Sequence, residues 1–502
     1  MAKQKGSRDQ ACPGWVGGQR LDVAESGTDD AGGRGLAARS PMGLIARAVG
    51  SFHPRTMPRM ARLNYRREIT ATSMLPFVLA PVEGGIAGVL VRTGFETLVT
   101  EGHISQAMLN YIVAVVTASA AFANITSFVW VRASHGRDKV GFLVGALVTM
   151  AVLVIMIGLM PTTVMGLYLT AGATVLARVC WAGFLTMRST VWGRNYPRAE
   201  RGRLTGKLST VQVSIIAVLG LGLGAMMEWN ADARHVMLPL GAVIGCGGIY
   251  MWSRVRVRGR EAFKRVERRD TGKDRPSFNP MSIVEVLRTD RKFAWFMLCM
   301  FLLGIGNLMV DAPLVIAVRE EFGGGYAAGI LVMATLPQAM MPLAIPFWAR
   351  LLDKGHVVKF RAIHAWFFVA ATLCLVVAFR FHFWPLVVVG VLIEGIAFGG
   401  GVLAWNLGHL DFAPAHKVSQ YMGVHVTLTG VRGIIGPFAA VWMYEAFKGW
   451  MGVGAGSWVF VVCLVFAIAG SIGFVRLARL MGGDTVVREG PIEATPPSRA
   501  RE

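Results

Sequence analysis

Long apolar runs separated by short polar segments constrain this chain more than any other feature of its sequence. Each run has about 20 residues, the length at which a helix crosses a ~30 Å hydrocarbon core. The twelve runs cover residues 69–91, 106–131, 141–160, 163–187, 210–227, 236–252, 293–318, 326–348, 362–379, 385–407, 421–444 and 457–475. Since backbone groups in lipid must pair within their own segment, the runs predict an all-α integral membrane protein with twelve transmembrane helices, spans 1–12.

The distribution of charge decides which partners the chain can have. A net charge of +21 would ordinarily suggest nucleic acid, but 54% of the residues are hydrophobic and only 16% are charged. Most of the 51 Lys and Arg fall in the two tails and in alternate loops. This bias predicts a multi-pass protein of the cytoplasmic (inner) membrane with both termini in the cytoplasm. It also predicts contact with anionic lipid headgroups, and no nucleic-acid partner.

Cysteine and histidine give no sign of a cofactor. The six cysteines include no C-x-x-C pair, and no histidine cluster has metal-ligand spacing. We therefore expect no disulfide, no metal and no cofactor. The first 66 residues also lack the apolar segment of a secretory signal peptide.

Polar segments divide the chain into five regions. Residues 1–66 are predicted to be a disordered cytoplasmic tail, and 67–253 to form a first group of six helices. Residues 254–292, with 13 Lys or Arg, are predicted to be a basic cytoplasmic linker. A second group of six helices follows at 293–476, and 477–502 form a cytoplasmic tail.

The two groups of six helices share a pattern at a constant offset of about 215–217 residues, which indicates an internal repeat. Two pairs of positions carry it. Asp138-Lys139 after span 2 recurs as Asp353-Lys354 after span 8, while Pro197 and Gly206 before span 5 recur as Pro414 and Gly423 before span 11.

The polar hairpin 132–141, R-A-S-H-G-R-D-K-V-G, joins spans 2 and 3. One interpretation is a solvated turn held on the cytoplasmic side by its cations. A more specific interpretation is that Asp138, Lys139 and Gly141 resemble the G-x-x-x-D-R-x-G-R-R signature of the major facilitator superfamily. Ser134 stands in place of the first glycine, and apolar residues replace the final basic pair.

This resemblance implies two six-helix halves around a central cavity and alternating access by rocking of the halves. It also implies a conformational gate at Asp138, Lys139 and Gly141 and at the repeated Asp353 and Lys354. Asp138 would hold the cytoplasmic ends of the halves together in the outward-open state, through an arginine or a helix N-terminus.

Charged side chains within spans cost roughly 2.5–3.5 kcal/mol each on insertion scales, so each needs a partner, a wet cavity or a function. The resemblance implies that spans 1, 4, 7, 10 and 11 face the cavity, and these spans hold the charges. The candidates for a substrate or proton pathway are Glu83, Arg178, Asp311, Glu394, His425 and Arg432.

Several of these residues have a structural alternative. Glu83 is either a proton or cation site or the ion-pair partner of Arg178. Arg178 lies in R-V-C-W-A-G, which departs from the R-x-x-Q-G of many proton-coupled family members. Asp311 is near the predicted outer end of span 7, where a carboxylate can be interfacial, and His425 is near a helix end, where it can serve as a hydrogen-bonding residue.

Glu394 and Arg432 are expected to form a buried ion pair. They lie about 14 Å and about 17 Å from opposite ends of the consecutive, antiparallel spans 10 and 11, so their depths nearly coincide. Gly430 and Gly433 beside Arg432 would let a neighbouring helix approach.

The sequence thus favours a secondary active transporter for a small solute of unknown identity, with a proton or ion as the candidate coupling partner. A membrane-embedded, lipid-linked transferase and a transporter-like scaffold without transport are the alternatives. The chain has no H-E-x-x-H or G-x-S-x-G motif, and we expect no enzymatic activity.

The charge bias generates a topology prediction. Reporter fusions after Asp232, Gly323 and Gly449 should show an outside location, and fusions after Lys273 and Glu489 an inside one. A cytoplasmic signal from the fusion at Asp232 would contradict the twelve-span arrangement.

Overall fold

The computed structural model describes residues 50–57, 61–196, 198–269, 280–414, 418–452 and 454–482. The chain divides into two units, Met1–Thr56 and Met57–Glu502. In the first unit, the described residues 50–56 include the 3-10 turn Pro54–Thr56. Most of the predicted N-terminal tail lies outside the described residues, but the prediction of disorder is wrong for its last residues, because the helix Arg62–Met74 begins there.

Helices of membrane-spanning length account for most of the second unit, and no strand occurs in the described residues. Ten helices are long and apolar enough to cross a membrane, and two bent pairs bring the number of crossings up to twelve. The bent pairs are Arg62–Val82 with Gly84–Thr100 (span 1) and Gln106–Thr117 with Ser119–Ile125 (span 2). The other ten are Lys139–Leu159, Val164–Asn195, Gly206–Trp229, Ala231–Ser253, Arg291–Phe322, Tyr326–Leu352, Val357–Arg380, Trp384–Trp405, Tyr421–Met451 and Gly456–Met481. The predicted fold class is confirmed.

Several helices are longer than their apolar runs. Val164–Asn195 and Arg198–Trp229 have 32 residues each, and Val418–Met451 has 34. The polar segment between the apolar runs 163–187 and 210–227 is therefore mostly helical, since helix continues on both sides of the junction near residue 196. Bilayer thickness limits the apolar part of a helix, whereas Arg and Lys are good helix formers that extend it into water.

The predicted linker 254–292 also contains helix. The first linker helix is Arg260–Arg269 and the second is Pro280–Thr289, with residues 270–279 outside the described part. The last span continues to Met481, past the predicted start of the C-terminal tail.

Four spans are irregular in their central part. Span 1 is interrupted at Glu83, which has the extended backbone angles φ −65° and ψ 130°, and span 2 bends by 44° after Thr117. Span 7 is interrupted between Arg291–Leu308 and Asp311–Phe322, and span 8 contains the π-helical turn Leu331–Thr335. Proline contributes in spans 1 and 7, because Pro81 and Pro313 cannot donate the backbone hydrogen bond that would continue the preceding helix.

Two glycines hold the interrupted span 1 against its neighbours. A Cβ on Gly84 would lie 2.9 Å from the carbonyl oxygen of Thr117 in span 2, and one on Gly85 would lie 2.8 Å from that of Met333 in span 8. Only a residue without a side chain permits this approach, so spans 1, 2 and 8 are in backbone contact here.

Gly85→Ala should therefore lower the thermal unfolding midpoint of the detergent-purified protein, because overpacking against an unyielding backbone costs about 1–3 kcal/mol. Gly222→Ala is the matched control, since a Cβ at Gly222 meets nothing within 4 Å. Equal midpoints for the two variants would show that spans 1 and 8 are not this close.

Candidate functional site

Two faces of the helical bundle serve to locate the site. An even number of crossings places the chain-terminal ends of spans 1 and 12, near Arg62 and Met481, on the same side. This side is called the terminal face, and the opposite side, where Gly94 and Phe322 end helices of spans 1 and 7, is the far face.

Glu83 and Asp311 occupy matching positions in spans 1 and 7. Glu83 is the N-cap of the 11-residue helix Gly84–Gly94, and Asp311 is the first residue of the 12-residue helix Asp311–Phe322. Both are therefore about 17 Å from the far-face ends of these helices. The alternative that Asp311 is interfacial is wrong, because the helix extends further than the apolar run and leaves Asp311 near mid-membrane.

Arg178 and Glu394 complete a group at this depth, called the carboxylate layer: Glu83, Asp311, Glu394 and Arg178. The Arg178 guanidinium donates to the Glu83 carboxylate at 2.8 Å, and the two side chains are 11% and 30% exposed. Glu394 is buried. The Asp311 carboxylate is within electrostatic range of both Glu83 and Glu394.

The layer thus brings three carboxylates together with one cation. The ion-pair alternative for Glu83 is confirmed as a contact, but one arginine does not neutralise three carboxylates. Within the described residues, neither Asp311 nor Glu394 forms an ion pair. A low-dielectric site with surplus negative charge attracts a proton or a cation.

Arg432 is separate from the carboxylate layer, and the predicted Glu394–Arg432 ion pair is wrong. Its guanidinium lies against Gly304 of span 7 and donates to the Met300 carbonyl oxygen. It also donates to Thr429 Oγ1 at 3.4 Å. Gly304 is seven residues before Asp311, so Arg432 lies about 10 Å nearer the terminal face than Asp311 does.

The glycines around Arg432 do admit a neighbouring helix, but it is span 2 and not span 10. A Cβ on Gly430 would collide with the Ile125 side chain, and one on Gly433 with the Ala121 side chain. His425, one further candidate, is buried and its ring packs against Trp405, so it is not a solvated helix-end residue.

A polar group at the far face joins the first six spans to the last six. This far-face network consists of Arg92, Glu96, Asn110, Arg319, Glu320 and Lys448. Glu320 accepts from Arg92 at 3.3 Å, from Lys448 at 2.7 Å and from Asn110 at 3.3 Å, and Arg319 pairs with Glu96 at 2.5 Å. Arg92 is only 2% exposed.

Among the residues that the structure describes, the other hydrogen bonds between the two groups of spans lie at the far face or at mid-membrane. Glu228 accepts from the Ala327 amide at 3.1 Å, and Thr335 Oγ1 donates to the Ala217 carbonyl at 3.2 Å. Among the described residues, no ion pair joins the two groups at the terminal face. The structure is therefore closed by polar contacts on the far side of the carboxylate layer.

Sequence reasoning missed the far-face network, because its charges are at or just beyond predicted span ends, where solvation is expected. The available signal was the dipeptide Arg319-Glu320 directly after span 7, with Arg92 and Glu96 at the matching end of span 1.

The hairpin after span 2 contacts the first linker helix. Asp138 accepts from the Gly141 amide at 2.9 Å, which caps span 3, and pairs with Arg260 at 2.8 Å. Lys139 is buried and pairs with Glu267 at 2.9 Å. In this conformation the hairpin is therefore bound to the linker.

The repeat of the Asp-Lys pair is not matched in the structure. Asp138 immediately precedes span 3, whereas Asp353 ends the helix Leu336–Asp353 and Lys354 follows it. The N-cap of span 9 is His356, whose side chain accepts from the Val358 amide. The side chain of Asp353 and the whole of Pro197 lie outside the described residues, while Gly206 and Gly423 both lie near the starts of long helices.

Comparison with known proteins identifies the family and the fold. A sequence model of the Major Facilitator Superfamily matches residues 79–437. No curated protein matches the chain. The solved structures that it resembles include a point mutant of the nucleoside transporter NupG, with a TM-score of 0.60, 11% identity and coverage of 83% of this chain and 99% of that one.

Two further structures show the same fold. A D-xylose-proton symporter gives a TM-score of 0.60 at 14% identity, over 82% of this chain and 97% of that one. The POT family transporter PepTSo gives 0.62 at 12% identity, over 85% and 99%.

The far-face network generates a test of the closed arrangement. Glu320→Gln should weaken the contacts of Arg92 and Lys448, at a cost of about 1.5–3 kcal/mol for a charged hydrogen-bonded group. The measurements are the thermal unfolding midpoint and the maleimide labelling of Val315→Cys, a buried position in span 7 that faces span 1. In Glu320→Gln, the unfolding midpoint should fall and the labelling at position 315 should become faster.

Glu101→Gln is the control, because Glu101 belongs to an exposed pair with His103 at the same face. Exposed pairs contribute at most about 1 kcal/mol. If Glu320→Gln behaves like Glu101→Gln in both measurements, the network does not seal the far face.

Proposed function

Because the chain belongs to the major facilitator superfamily, a family of secondary transporters, we propose that it moves a small solute across the cytoplasmic membrane by alternating access. The carboxylate layer is the observation that carries this proposal. It lies at mid-membrane, comes from spans 1, 4, 7 and 10, and has a polar closure on one side. A site that opens to one face at a time needs this arrangement.

The excess of carboxylates supports a proton or a cation as the coupling ion or as the charged part of the solute. Glu83 is neutralised by Arg178, which leaves Asp311 and Glu394 to bind the proton or cation. One structure of the same fold is that of a D-xylose-proton symporter, so the fold is compatible with proton coupling. His425 and Arg432 would lie on the path between the layer and the terminal face.

The charges of the loops support one orientation of the protein. The positive-inside bias supports a cytoplasmic terminal face and cytoplasmic termini, which makes this conformation inward-facing. The surface cavity lined by Arg132, Arg137 and Arg268 would then contact anionic lipid headgroups. In the outward-open state, Asp138 would exchange Arg260 for a partner in the last six spans and so act as part of the gate.

Transport is tested in two steps, since the solute is not known. Small cationic, neutral and anionic solutes are first screened for a rise in the unfolding midpoint of the purified protein, and each stabilising solute is then tested for uptake into proteoliposomes. We expect saturable uptake that a proton ionophore reduces at least tenfold if the proton is the coupling ion.

Variants connect uptake with the carboxylate layer. Asp311→Asn and Glu394→Gln should reduce gradient-driven uptake more than tenfold while the protein stays folded, because each removes a proton- or cation-binding carboxylate. Asp232→Asn is the control, an exposed carboxylate at the far face. Failure of every stabilising solute to enter the vesicles would contradict transport, and its chemical conversion would favour the transferase alternative.

A further inference from the structure

A second charged group lies between the carboxylate layer and the terminal face. This basic cluster consists of Arg361 in span 9, His409 in the 3-10 turn Gly408–Asp411, and His425 and Arg432 in span 11. All four side chains are buried, with 3%, 7%, 2% and 8% of their surface exposed. Only His425 and Arg432 were singled out from the sequence.

The side chains of the cluster are close enough to act on one another. Arg361 and Arg432 are within electrostatic range of each other, and His425 is within range of both arginines and of His409. Two guanidinium groups, which stay protonated in proteins, therefore share one buried region.

The partners of the two arginines are neutral. Arg361 bonds to His364 Nδ1 at 3.2 Å, and Arg432 to the Met300 carbonyl and the Thr429 hydroxyl. In the described residues, no carboxylate forms an ion pair with any member of the cluster. The carboxylate of Asp411, the nearest acid in sequence, accepts from the Val357 amide.

Four nitrogen atoms in the cluster are buried and have no hydrogen-bond partner among the described residues: Arg361 Nε, Arg432 Nε, His425 Nε2 and His409 Nδ1. Four unbonded nitrogen atoms in one cluster are unusual, since buried polar groups nearly always form a hydrogen bond. Burial also lowers the pKa of His409, so its imidazole is neutral at pH 7 and adds a hydrogen-bonding group without adding charge.

The other buried cations in the described part of the chain have acidic partners, which makes the cluster an exception. Arg92 pairs with Glu96 and Glu320, and Lys139 pairs with Glu267. A buried charge without an opposite charge is strongly destabilising. The two guanidinium groups have only neutral hydrogen-bond partners, so an anion in this region would lower the cost of burying them.

We propose that the basic cluster binds an oxyanion, a carboxylate or a phosphate group, through Arg361 and Arg432 with His409 and His425 as hydrogen-bonding neighbours. The planar fork of a guanidinium matches this geometry. Arg361 is four residues after the start of the helix Val357–Arg380, about 6 Å from the end of that helix at the terminal face. The site is distinct from the carboxylate layer and does not depend on it.

The test measures the thermal unfolding midpoint of the full chain in neutral detergent. The added salt is inorganic phosphate, acetate or chloride, at equal ionic strength. We expect a saturable rise with phosphate or acetate beyond that in chloride. Arg361→Gln and Arg432→Gln should abolish the rise, and in oxyanion-free buffer they should unfold no lower than the wild type, because each removes an uncompensated charge. Arg380→Gln is the control, at the other end of the same helix, and should keep the rise.

A lipid headgroup is distinguished from a soluble anion by a second arm in nanodiscs. The oxyanion is assigned to lipid if the unfolding midpoint is higher in phosphatidylglycerol than in phosphatidylcholine nanodiscs and this difference requires Arg361. Free phosphate and acetate should then give no rise. If Arg432→Gln does not fold, Arg432→Lys keeps the charge and removes the fork. The proposal is overturned if phosphate and acetate raise the unfolding midpoint no more than chloride does, or if their effect is unchanged in Arg361→Gln. Neither result bears on solute uptake.

Discussion

The cost of charge in hydrocarbon is the constraint on which this structure depends. A charged group at mid-membrane must find an opposite charge, a polarised backbone group or water. Arg178 meets Glu83, and Arg92 meets Glu96 and Glu320. The Arg178–Glu83 and Arg92–Glu320 pairs join spans that are distant in the sequence, so the charges help to determine which helices pack together.

Helix breaks at Glu83 and Asp311 reduce the cost of these two carboxylates at mid-membrane. Each carboxylate stands at the N-terminus of a half-helix, where unpaired backbone amides carry partial positive charge. This field stabilises an anion by about 0.3–1 kcal/mol, and up to about 2 kcal/mol in partly buried geometries. That is less than the cost of burial, so the helix N-termini alone do not compensate the charge of these carboxylates.

Much of the fold could be predicted from the sequence, because span number follows from the length of apolar runs. Helix ends could not be predicted, since cationic segments such as 198–209 extend helices beyond lipid without an apolar signal. The depth argument for Glu394 and Arg432 failed for a related reason. Span 11 extends from Val418 to Met451, and rotation about the helix axis turns Arg432 toward Gly304 of span 7. Hydropathy carries no information about that rotation.

The contacts between the spans differ in how easily water can replace them. The far-face network lies at span ends, so water can hydrate Arg92, Glu320 and Lys448 as the two groups of spans separate, and rupture costs much less than leaving a charge dry. Gly84 and Gly85 instead place backbone against backbone at mid-membrane, where water does not replace the lost packing. Water can thus replace the contacts of the far-face network between the two groups, whereas Gly85 holds span 1 against span 8 by backbone packing.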